Sequence, residues 1–267
     1  MPPTDALRAF TDALRCPHCS QPVHLDANAL ACDRRHSFDV ARQGYVNLLT
    51  RAAPANADTA TMLRSRADFL STGHYLPIAD AVAEAVGDAE RVLETGAGTG
   101  YYLGHALEGR GWGLATDVSP SAAKLAARAH PRMASIVADT WAGLPVADQS
   151  FDALLCVFAP RNPTEFARVL RPDGRLIVVV PTAGHLAELR DDYGLLGVPS
   201  DKAAAVAEAF TGWTVQTARV EADLDLSADD VAHLIAMGPN AFHGLPPTTA
   251  PARTRLSVDV LTLTCRS

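Results

Sequence analysis

A short stretch near the N-terminus contains four residues that are able to bind a single metal ion. Cys16 and Cys19 are separated by two residues, and Cys32 and His36 follow with three residues between them. Each tight pair supplies two ligands from one side, and Zn²⁺ prefers four sulfur and nitrogen ligands at the corners of a tetrahedron. Because the chain fills all four positions, the pattern predicts a structural zinc site. The metal would hold together a module too small to bury its own core.

Two other histidines and one other chemistry compete with this interpretation. His18 and His24 lie in the same stretch, but neither completes a second tight pair as well as His36 does. Disulfide bonds would require an oxidising compartment, and the first residues, M-P-P-T-D-A-L-R-A-F, lack the extended apolar segment of a signal peptide. The apolar run L-I-V-V-V is strand-sized and far shorter than a membrane span. We therefore expect a cytoplasmic protein with no membrane partner.

The length and composition allow one full domain and a small accessory module. The chain has 267 residues, of which 48% are hydrophobic and 20% charged, as in an ordinary globular protein. The segment 50–60 lacks periodicity and is predicted to be a linker, and a helical pattern over 62–86 is interrupted at Gly73 and Pro77. We expect three parts: a zinc module at 1–50, a linker and helix at 51–90, and the main domain at 91–267.

Beyond residue 90 the pattern alternates between short apolar strands and Ala-rich helices. Such alternation is typical of right-handed β-α-β units, in which helices cover both faces of a parallel sheet. The strands of this pattern are predicted at 91–95, 112–117, 134–139, 151–158 and 175–181. Two further strands, near 214–220 and at 255–265, flank a helix at 227–238 with Ser227 as its N-cap. The last strand alternates cleanly and suits an antiparallel position, so the sequence predicts an α/β fold with a mostly parallel, seven-stranded sheet.

The first of these strands runs into a glycine-rich loop, E-T-G-A-G-T-G at 94–100. Glycine is required where a Cβ would collide with a ligand, and open α/β sheets bind ligands at the carboxyl ends of their strands. The loop departs from the dinucleotide fingerprint, because Gly100 follows Gly96 and Gly98 while Tyr101 occupies the position of the third glycine. We therefore expect a ligand other than a dinucleotide.

Three acidic residues at the ends of successive predicted strands indicate which ligand this is. Glu94 would repel a pyrophosphate, but it suits a ligand with an amino group and a sulfonium, such as S-adenosylmethionine. Asp117 ends the second strand, where a carboxylate can accept hydrogen bonds from both ribose hydroxyls, and Asp139 ends the third, near the adenine amino group. Each acid alone would also fit a turn or a helix cap. Jointly they favour S-adenosylmethionine as the cofactor.

Motifs spread over nearly the whole chain resemble one known family. They are the zinc ligands, F-D-V-A-R-Q-G-Y-V-N-L-L, G-H-Y at 73–75, the glycine loop, V-F-A-P-R-N at 157–162, H-L-A-E-L at 185–189 and M-G-P-N at 237–240. In this combination the chain resembles the RlmA family of ribosomal RNA large-subunit guanine-N1 methyltransferases. M-G-P-N is similar to the Gram-positive branch of that family, which includes a tylosin-resistance enzyme.

The resemblance implies a fold, a substrate and a set of cofactor contacts. The fold is that of class I S-adenosylmethionine-dependent methyltransferases, and the substrate is N1 of a guanine in a 23S rRNA hairpin, with a contribution to macrolide resistance of the tylosin type. The implied cofactor contacts are Tyr75, Gly98, Thr99 and His185, alongside the acids and glycines named above. The sequence leaves open whether the protein forms a homodimer.

The implied reaction requires substrate contacts next to the cofactor. Guanine N1 lies on the Watson–Crick edge, so the base must be unpaired or flipped out before methylation. Class I methyltransferases place substrate-facing residues after the fourth strand, where this chain has V-F-A-P-R-N. We expect Phe158 to stack on the base and Arg161 or Asn162 to bind its O6, although Phe158 would also suit a core position. The sequence does not identify the general base.

Charge is distributed unevenly along the chain. The net charge of −7 argues mildly against a protein that coats nucleic acid nonspecifically. The segment 15–66 has seven arginines and four aspartates, and therefore a charge of +3. Arg34, Arg35 and Arg42 would make the zinc module an RNA-docking element, but charge alone favours solvated surface arginines.

Two other functions compete with rRNA methylation. A methyltransferase of the same fold that acts on a small molecule or a protein would suit the acidic main domain. A zinc-containing RNA-binding protein with a vestigial cofactor site is the non-enzymatic alternative. The intact set of Glu94, Asp117 and the loop glycines argues against that last hypothesis.

Overall fold

The structure is a computed structural model, which describes residues 4–109, 111–199 and 201–265 and forms two β-sheets. The strands are β1 (Val23–Asp26), β2 (Ala29–Cys32), β3 (Ser37–Asp39), β4 (Tyr45–Asn47), β5 (Arg91–Thr95), β6 (Trp112–Asp117), β7 (Met133–Val137), β8 (Phe151–Val157), β9 (Leu170–Pro181), β10 (Trp213–Leu226) and β11 (Ala252–Cys265). The helices are α1 (Thr4–Arg8), α2 (Ala60–Ser71), α3 (Leu76–Val86), α4 (Tyr101–Ala106), α5 (Pro120–Ala129), α6 (Pro163–Val169), α7 (Ala187–Tyr193), α8 (Lys202–Ala209) and α9 (Ala228–Ala236), with a 3-10 helix at Pro239–His243.

The small sheet carries the metal-binding stretch. β1 pairs antiparallel with β2, and β2 pairs antiparallel with β3. Side chains alternate between the faces of a strand, and in β2 Leu30 and Cys32 share the buried face. One predicted metal ligand therefore lies on the inner side of this sheet.

The large sheet has the strand order β10-β11-β9-β8-β5-β6-β7-β4. β4 to β9 pair in parallel wherever they are neighbours, and β11 runs antiparallel between β9 and β10. β7 and β8 are almost continuously buried, as expected of strands covered on both faces. The order reverses between β5 and β8, and open α/β sheets bind ligands at the carboxyl ends of strands beside such a reversal.

The large sheet has one strand more than the sequence predicts. All seven predicted strands are present as β5 to β11, and β4 adds an eighth at the edge by pairing with β7. Val46 pairs with Ile136 in this ladder, and both side chains are fully buried. The N-terminal module is thus hydrogen-bonded to the main sheet, while the predicted division of the chain at residues 50 and 90 stays a prediction.

Several strand ends differ from the predicted ones. β7 ends at Val137, two residues before Asp139, because the carboxylate of Asp139 accepts a hydrogen bond from the N–H of Trp141 at 2.9 Å and turns the chain. β10 continues to Leu226, because its whole length pairs with β11.

The helices begin and end where local chemistry allows it. The predicted helical segment divides into α2 and α3 at Gly73, whose φ of +82° is unfavourable for other residues. Thr59 caps α2 by accepting the N–H of Met62. The prediction that Ser227 caps the helix now labelled α9 is confirmed, and Asp230 completes a capping box with it.

Apolar side chains pack on both faces of the large sheet. One cluster joins α1, the small sheet, α6 and α8 to the sheet, and the other joins α3, α4, α7 and α9 to it. Among residues 4–109, 111–199 and 201–265, no helix has the length and apolar character needed to span a membrane.

Candidate functional site

The four predicted metal ligands meet in one cluster. The ligand atoms of Cys16, Cys19, Cys32 and His36 all lie within 4.8 Å of one another. Sγ of Cys16 is 3.3 Å from Nδ1 of His36, and Sγ of Cys19 is 3.7 Å from Sγ of Cys32. Two thiolates bound to one tetrahedral zinc ion with Zn–S bonds of about 2.3 Å lie about 3.8 Å apart. The distance between Cys19 and Cys32 therefore matches that between two ligands of one zinc ion, and the other two ligand atoms lie close enough to join them.

The chemistry of this donor set also fits zinc. Burial acts to raise the pKa of the Cys32 thiol, but hydrogen bonds from the backbone of His36 and Arg34 lower this pKa to about 6. A thiol that loses its proton readily is a good zinc ligand. Three cysteines and one histidine fill a tetrahedron and leave no position for a reacting water, as in structural zinc sites. His18 lies beside His36, with ring centroids 5.1 Å apart, and is not part of the cluster.

The glycine loop brings the backbone of 96–100 against two other segments. Gly96 and Gly98 have φ values of +65° and +54°, in the region that favours glycine. A Cβ on Gly96 would lie 2.6 Å from Cβ of Ala159, and a Cβ on Gly98 would lie 2.7 Å from Nη1 of Arg66. Thr99 is half-buried and is followed by Gly100, the third glycine of the loop. A larger residue at either of the first two glycines would displace its neighbour.

Glu94 is a buried carboxyl group with an unpartnered oxygen. It is 1% exposed, and its Oε2 has no hydrogen-bond partner in the part of the chain that the structure describes. Burial, with a smaller contribution from the charge of Asp117, raises the pKa of the Glu94 carboxyl to about 8. An unpaired charge in such a place is costly, so the site favours a ligand that brings a cationic donor. The ammonium group of S-adenosylmethionine is such a donor, which makes the orphaned oxygen a good fit to this cofactor.

The other two acids are held by backbone hydrogen bonds. Oδ2 of Asp117 accepts the N–H of Gly98 at 2.9 Å, and its Oδ1 accepts the N–H of Ser119 at 2.8 Å. The Asp117 carboxylate is thereby oriented and keeps further lone pairs for ribose hydroxyls. Asp139 accepts the N–H of Trp141 through Oδ1, beside an indole side chain that is 65% exposed.

Tyr75 and His185 form a buried hydrogen-bonded pair. The N–H of Ser257 donates to Nδ1 of His185 at 3.2 Å, which makes Nε2 the protonated ring nitrogen. Nε2–H then donates to the hydroxyl of Tyr75, also at 3.2 Å. Burial, assisted by the charges of Arg190 and Lys202, lowers the pKa of His185 to about 4, so the ring is neutral near pH 7. The hydroxyl proton of Tyr75 is therefore left to donate to a third group.

Phe158 completes an aromatic cluster at the carboxyl edge of the sheet. Its ring stacks on His185 at a centroid distance of 6.1 Å, and the rings of Tyr75 and Tyr102 are each 6.4 Å away. The residue has a φ of +53° and is 41% exposed. A bulky residue is strained in that conformation, and such strain is common at functional sites. The core position considered for Phe158 is therefore wrong.

Arg161 and Asn162 differ in how far their side chains are engaged. Asn162 is the N-cap of α6, accepting the N–H of Glu165 at 3.3 Å, and its amide also donates to the carbonyl of Thr140 at 3.0 Å. Arg161 makes one long hydrogen bond within the described residues, at 3.5 Å, to the carbonyl of Ala159. Of the two, Arg161 has more donors to offer to a substrate.

Two residues at the site were not identified from the sequence. Tyr102 is buried against Phe158, and the available signal was the pair of tyrosines directly after the glycine loop. Arg66 reaches the loop from α2, and its place in the sequence gives no sign of this contact.

Fold and site together define a class I S-adenosylmethionine-dependent methyltransferase that carries a zinc ribbon. The family model described as "RlmA, N-terminal" matches residues 14–53, and the one described as "Methyltransferase domain" matches residues 92–174. Two solved structures share the fold at 20% identity. The first is YcgJ of Bacillus subtilis, which has a TM-score of 0.50 and covers 73% of this chain and 100% of its own. The second comes from the complex between the Haloferax volcanii Trm112 methyltransferase activator and a methyltransferase. It has a TM-score of 0.51 and covers 77% of this chain and 95% of its own.

Relatives with much higher identity identify the family. The chain is 46% identical over 278 residues to a 23S rRNA (guanine-N(1)-)-methyltransferase of Micromonospora griseorubida, covering 93% of this chain and 91% of the relative. It is 43% identical over 247 residues to the 23S rRNA (guanine(748)-N(1))-methyltransferase of Streptomyces fradiae, covering 89% and 88%. The chain belongs to the RlmA family. The predictions of this family, of S-adenosylmethionine as cofactor and of one structural zinc ion are thereby confirmed.

Proposed function

We propose that this protein methylates N1 of a guanine in a hairpin of 23S rRNA. The observation that carries the proposal is the 43% identity, over 89% of the chain, to the Streptomyces fradiae relative. That relative is named for guanine 748, which is the position we expect here. The orphaned carboxyl of Glu94 and the exposed ring of Phe158, at one edge of the sheet, suit a cofactor on one side and a nucleobase on the other.

The proposed cofactor site combines three acids with the glycine loop. Glu94 accepts a hydrogen bond from the ammonium group of the cofactor, and Asp117 accepts hydrogen bonds from the ribose hydroxyls. Asp139 accepts a hydrogen bond from the adenine amino group. The glycines of 96–100 and Thr99 allow the close approach of backbone, and the pair of Tyr75 and His185 lines the methyl-bearing end. The bound cofactor supplies a methyl group already activated by the positive sulfonium, so most of the rate comes from positioning guanine N1 against it.

The proposed substrate contacts follow from the aromatic cluster. Phe158 offers a ring face on which a flipped guanine stacks, and base–aromatic stacking is sequence-tolerant and favourable. Arg161 donates to guanine O6, where negative charge develops as N1 loses its proton. Asn162 holds the start of α6 and so positions Arg161. The proton that N1 loses passes to a base or, through a chain of water molecules, to solvent.

The zinc ribbon is proposed to dock the RNA. Arg34 and Arg42 lie on the ribbon, and Arg35 is held there with a φ of +66° in the turn between the last two zinc ligands. Guanidinium groups on a small rigid module suit phosphates of a hairpin. We extend the proposal to a cytoplasmic enzyme whose product contributes to macrolide resistance of the tylosin type.

Reverse transcription tests the proposal directly, because a methyl group on N1 blocks base pairing. 23S rRNA from a strain that lacks the methyltransferase is incubated with the protein and S-adenosylmethionine and is then copied by reverse transcriptase. We expect a new stop at guanine 748 that requires both components. Phe158→Ala and Arg161→Ala should weaken the stop at least tenfold, since each removes a contact to the reacting base.

Arg253→Ala is the matched control for Arg161→Ala, because the Arg253 side chain is 86% exposed and pairs with the exposed Asp225. It should leave the stop unchanged. If no new stop appears and the protein instead transfers the methyl group to a small molecule or a protein, the substrate is not rRNA but belongs to that alternative class. A reverse-transcription stop that is as strong with Arg161→Ala as with the wild type would show that Arg161 has no role in the reaction.

A further inference from the structure

Arg66 places a guanidinium group directly over the glycine loop. It belongs to α2, and a Cβ on Gly98 would lie 2.7 Å from its Nη1. The N–H of Gly98 donates to Asp117, so Arg66 faces the part of the loop that is tied to the proposed ribose site. The contact therefore lies inside the cofactor region.

This guanidinium is held in place with donors to spare. Nη1 lies 2.7 Å from Oδ2 of Asp58, and Nη2 donates to the carbonyl of Met237 at 2.7 Å. Asp58 is itself fixed, because its carbonyl accepts the hydroxyl of Ser119 at 2.7 Å. A guanidinium has five N–H donors, and these two contacts leave three for a ligand. The Arg66 side chain is 24% exposed, so much of its surface is shielded from water.

The charged groups around the loop favour a ligand that carries both a positive and a negative group. Glu94, Asp117 and Asp58 bring three carboxyl groups to this region, and Arg66 brings a cation. The charges of Glu94 and Arg66 both act on the hydroxyl of Tyr102, so both groups lie in the neighbourhood of that residue. A ligand that carries an ammonium and a carboxylate on one carbon, as an amino acid does, satisfies both.

We propose that Arg66 binds the α-carboxylate of the methionine part of the cofactor, opposite the ammonium that Glu94 accepts. This inference rests on the proposed cofactor site and adds the residue that fixes the direction of the methionine end. A planar guanidinium matches a carboxylate with two parallel hydrogen bonds. Because Arg66 also holds Met237, the carboxylate links the cofactor to the M-G-P-N segment.

The test compares two ligands that differ only in the carboxylate. S-Adenosylhomocysteine and its decarboxylated analogue, 5′-[(3-aminopropyl)thio]-5′-deoxyadenosine, are titrated calorimetrically into the zinc-loaded protein and into Arg66→Gln. Removing a charged hydrogen-bonding partner should weaken S-adenosylhomocysteine binding by about 10- to 100-fold. Binding of the decarboxylated analogue should change by less than about 3-fold, because it has no group for Arg66 to hold.

Arg64→Gln is the matched control, since Arg64 is an exposed arginine on the same helix. It should leave both affinities unchanged. Arg66→Lys keeps the positive charge but loses the planar guanidinium that makes two parallel hydrogen bonds, and it should retain part of the preference for the carboxylate. Equal weakening of both ligands by Arg66→Gln would show a merely structural role and overturn the proposal, as would unchanged binding.

Two further results keep the test decisive. If Arg66→Gln does not fold, as judged by its thermal melting, the wild-type protein still has to prefer S-adenosylhomocysteine over the decarboxylated analogue. Equal affinity of the wild type for both ligands would overturn the assignment of Arg66. If the wild-type protein binds neither ligand, that result would instead contradict the proposed cofactor site and, with it, the proposed function.

Discussion

Replacing Glu94 by glutamine should stabilise the cofactor-free protein, and the gain should grow with pH. Burial raises the pKa of Glu94 from 4.5 to about 8 in the folded chain. A carboxyl whose pKa is raised by folding stabilises the fold fully only below its ordinary pKa, and this contribution is lost as the pH rises through the folded value. Glutamine has the same shape as glutamate but does not ionise, so the stability of the variant should not fall with rising pH for this reason.

The expected size follows from the difference between the two pKa values. Each pH unit between 4.5 and about 8 costs the wild type about 1.36 kcal/mol. Glu94→Gln should therefore be more stable than the wild type by about 2 kcal/mol at pH 6 and by on the order of 5 kcal/mol at pH 8 and above. Near pH 4.5 the two proteins should be equally stable.

Urea denaturation at pH 5, 6, 7 and 8.5, followed by tryptophan fluorescence, gives the free energy of unfolding for each protein. Glu90→Gln is the matched control, because Glu90 is exposed just before the same strand, and it should show no such trend. A stability difference that stays constant with pH, or a variant less stable than the wild type at pH 8.5, would contradict a raised pKa for the Glu94 carboxyl.

Three other perturbations test separate parts of the site. The purified protein should contain one zinc ion per chain, and its removal by a strong chelator should unfold the ribbon in circular dichroism; unchanged melting without zinc would contradict a structural role. Gly96→Ala should weaken S-adenosylhomocysteine binding at least tenfold in calorimetry, because its Cβ would lie 2.6 Å from Cβ of Ala159. Gly109→Ala should not weaken it, because no described residue other than its chain neighbours lies within 4 Å of a Cβ there. Arg34→Ala with Arg35→Ala should reduce the slope of log affinity for rRNA against log salt by about 1.4, and an unchanged slope would rule out docking by these arginines.

Much of the fold could be predicted because its signals are local. Each pair of zinc ligands is a short sequence pattern, and the four ligand atoms meet as the spacing requires. β5 and β6 lie at the predicted bounds, because apolar runs between turns define them without reference to the rest of the chain. Glu94 and Asp117 reach the same edge of the sheet because parallel strands end there.

The remaining features depend on contacts between distant segments. β4 has three residues and no periodicity of its own, and only pairing with β7 makes it a strand of the large sheet. Arg66 reaches the loop because α2 packs across it, which spacing along the chain does not reveal. Asn162 has the residue type of both a substrate ligand and a helix cap, and its role as the cap of α6 becomes visible only in the structure.

The most direct test of the central claim is to identify the nucleoside that receives the methyl group. S-Adenosylmethionine with an isotopically labelled methyl group is incubated with the protein and unmethylated 23S rRNA, which is then digested to nucleosides and analysed by mass spectrometry. We expect label in 1-methylguanosine, with close to one methyl group per rRNA molecule. Label in another methylated nucleoside, or unlabelled rRNA beside active protein, would contradict it.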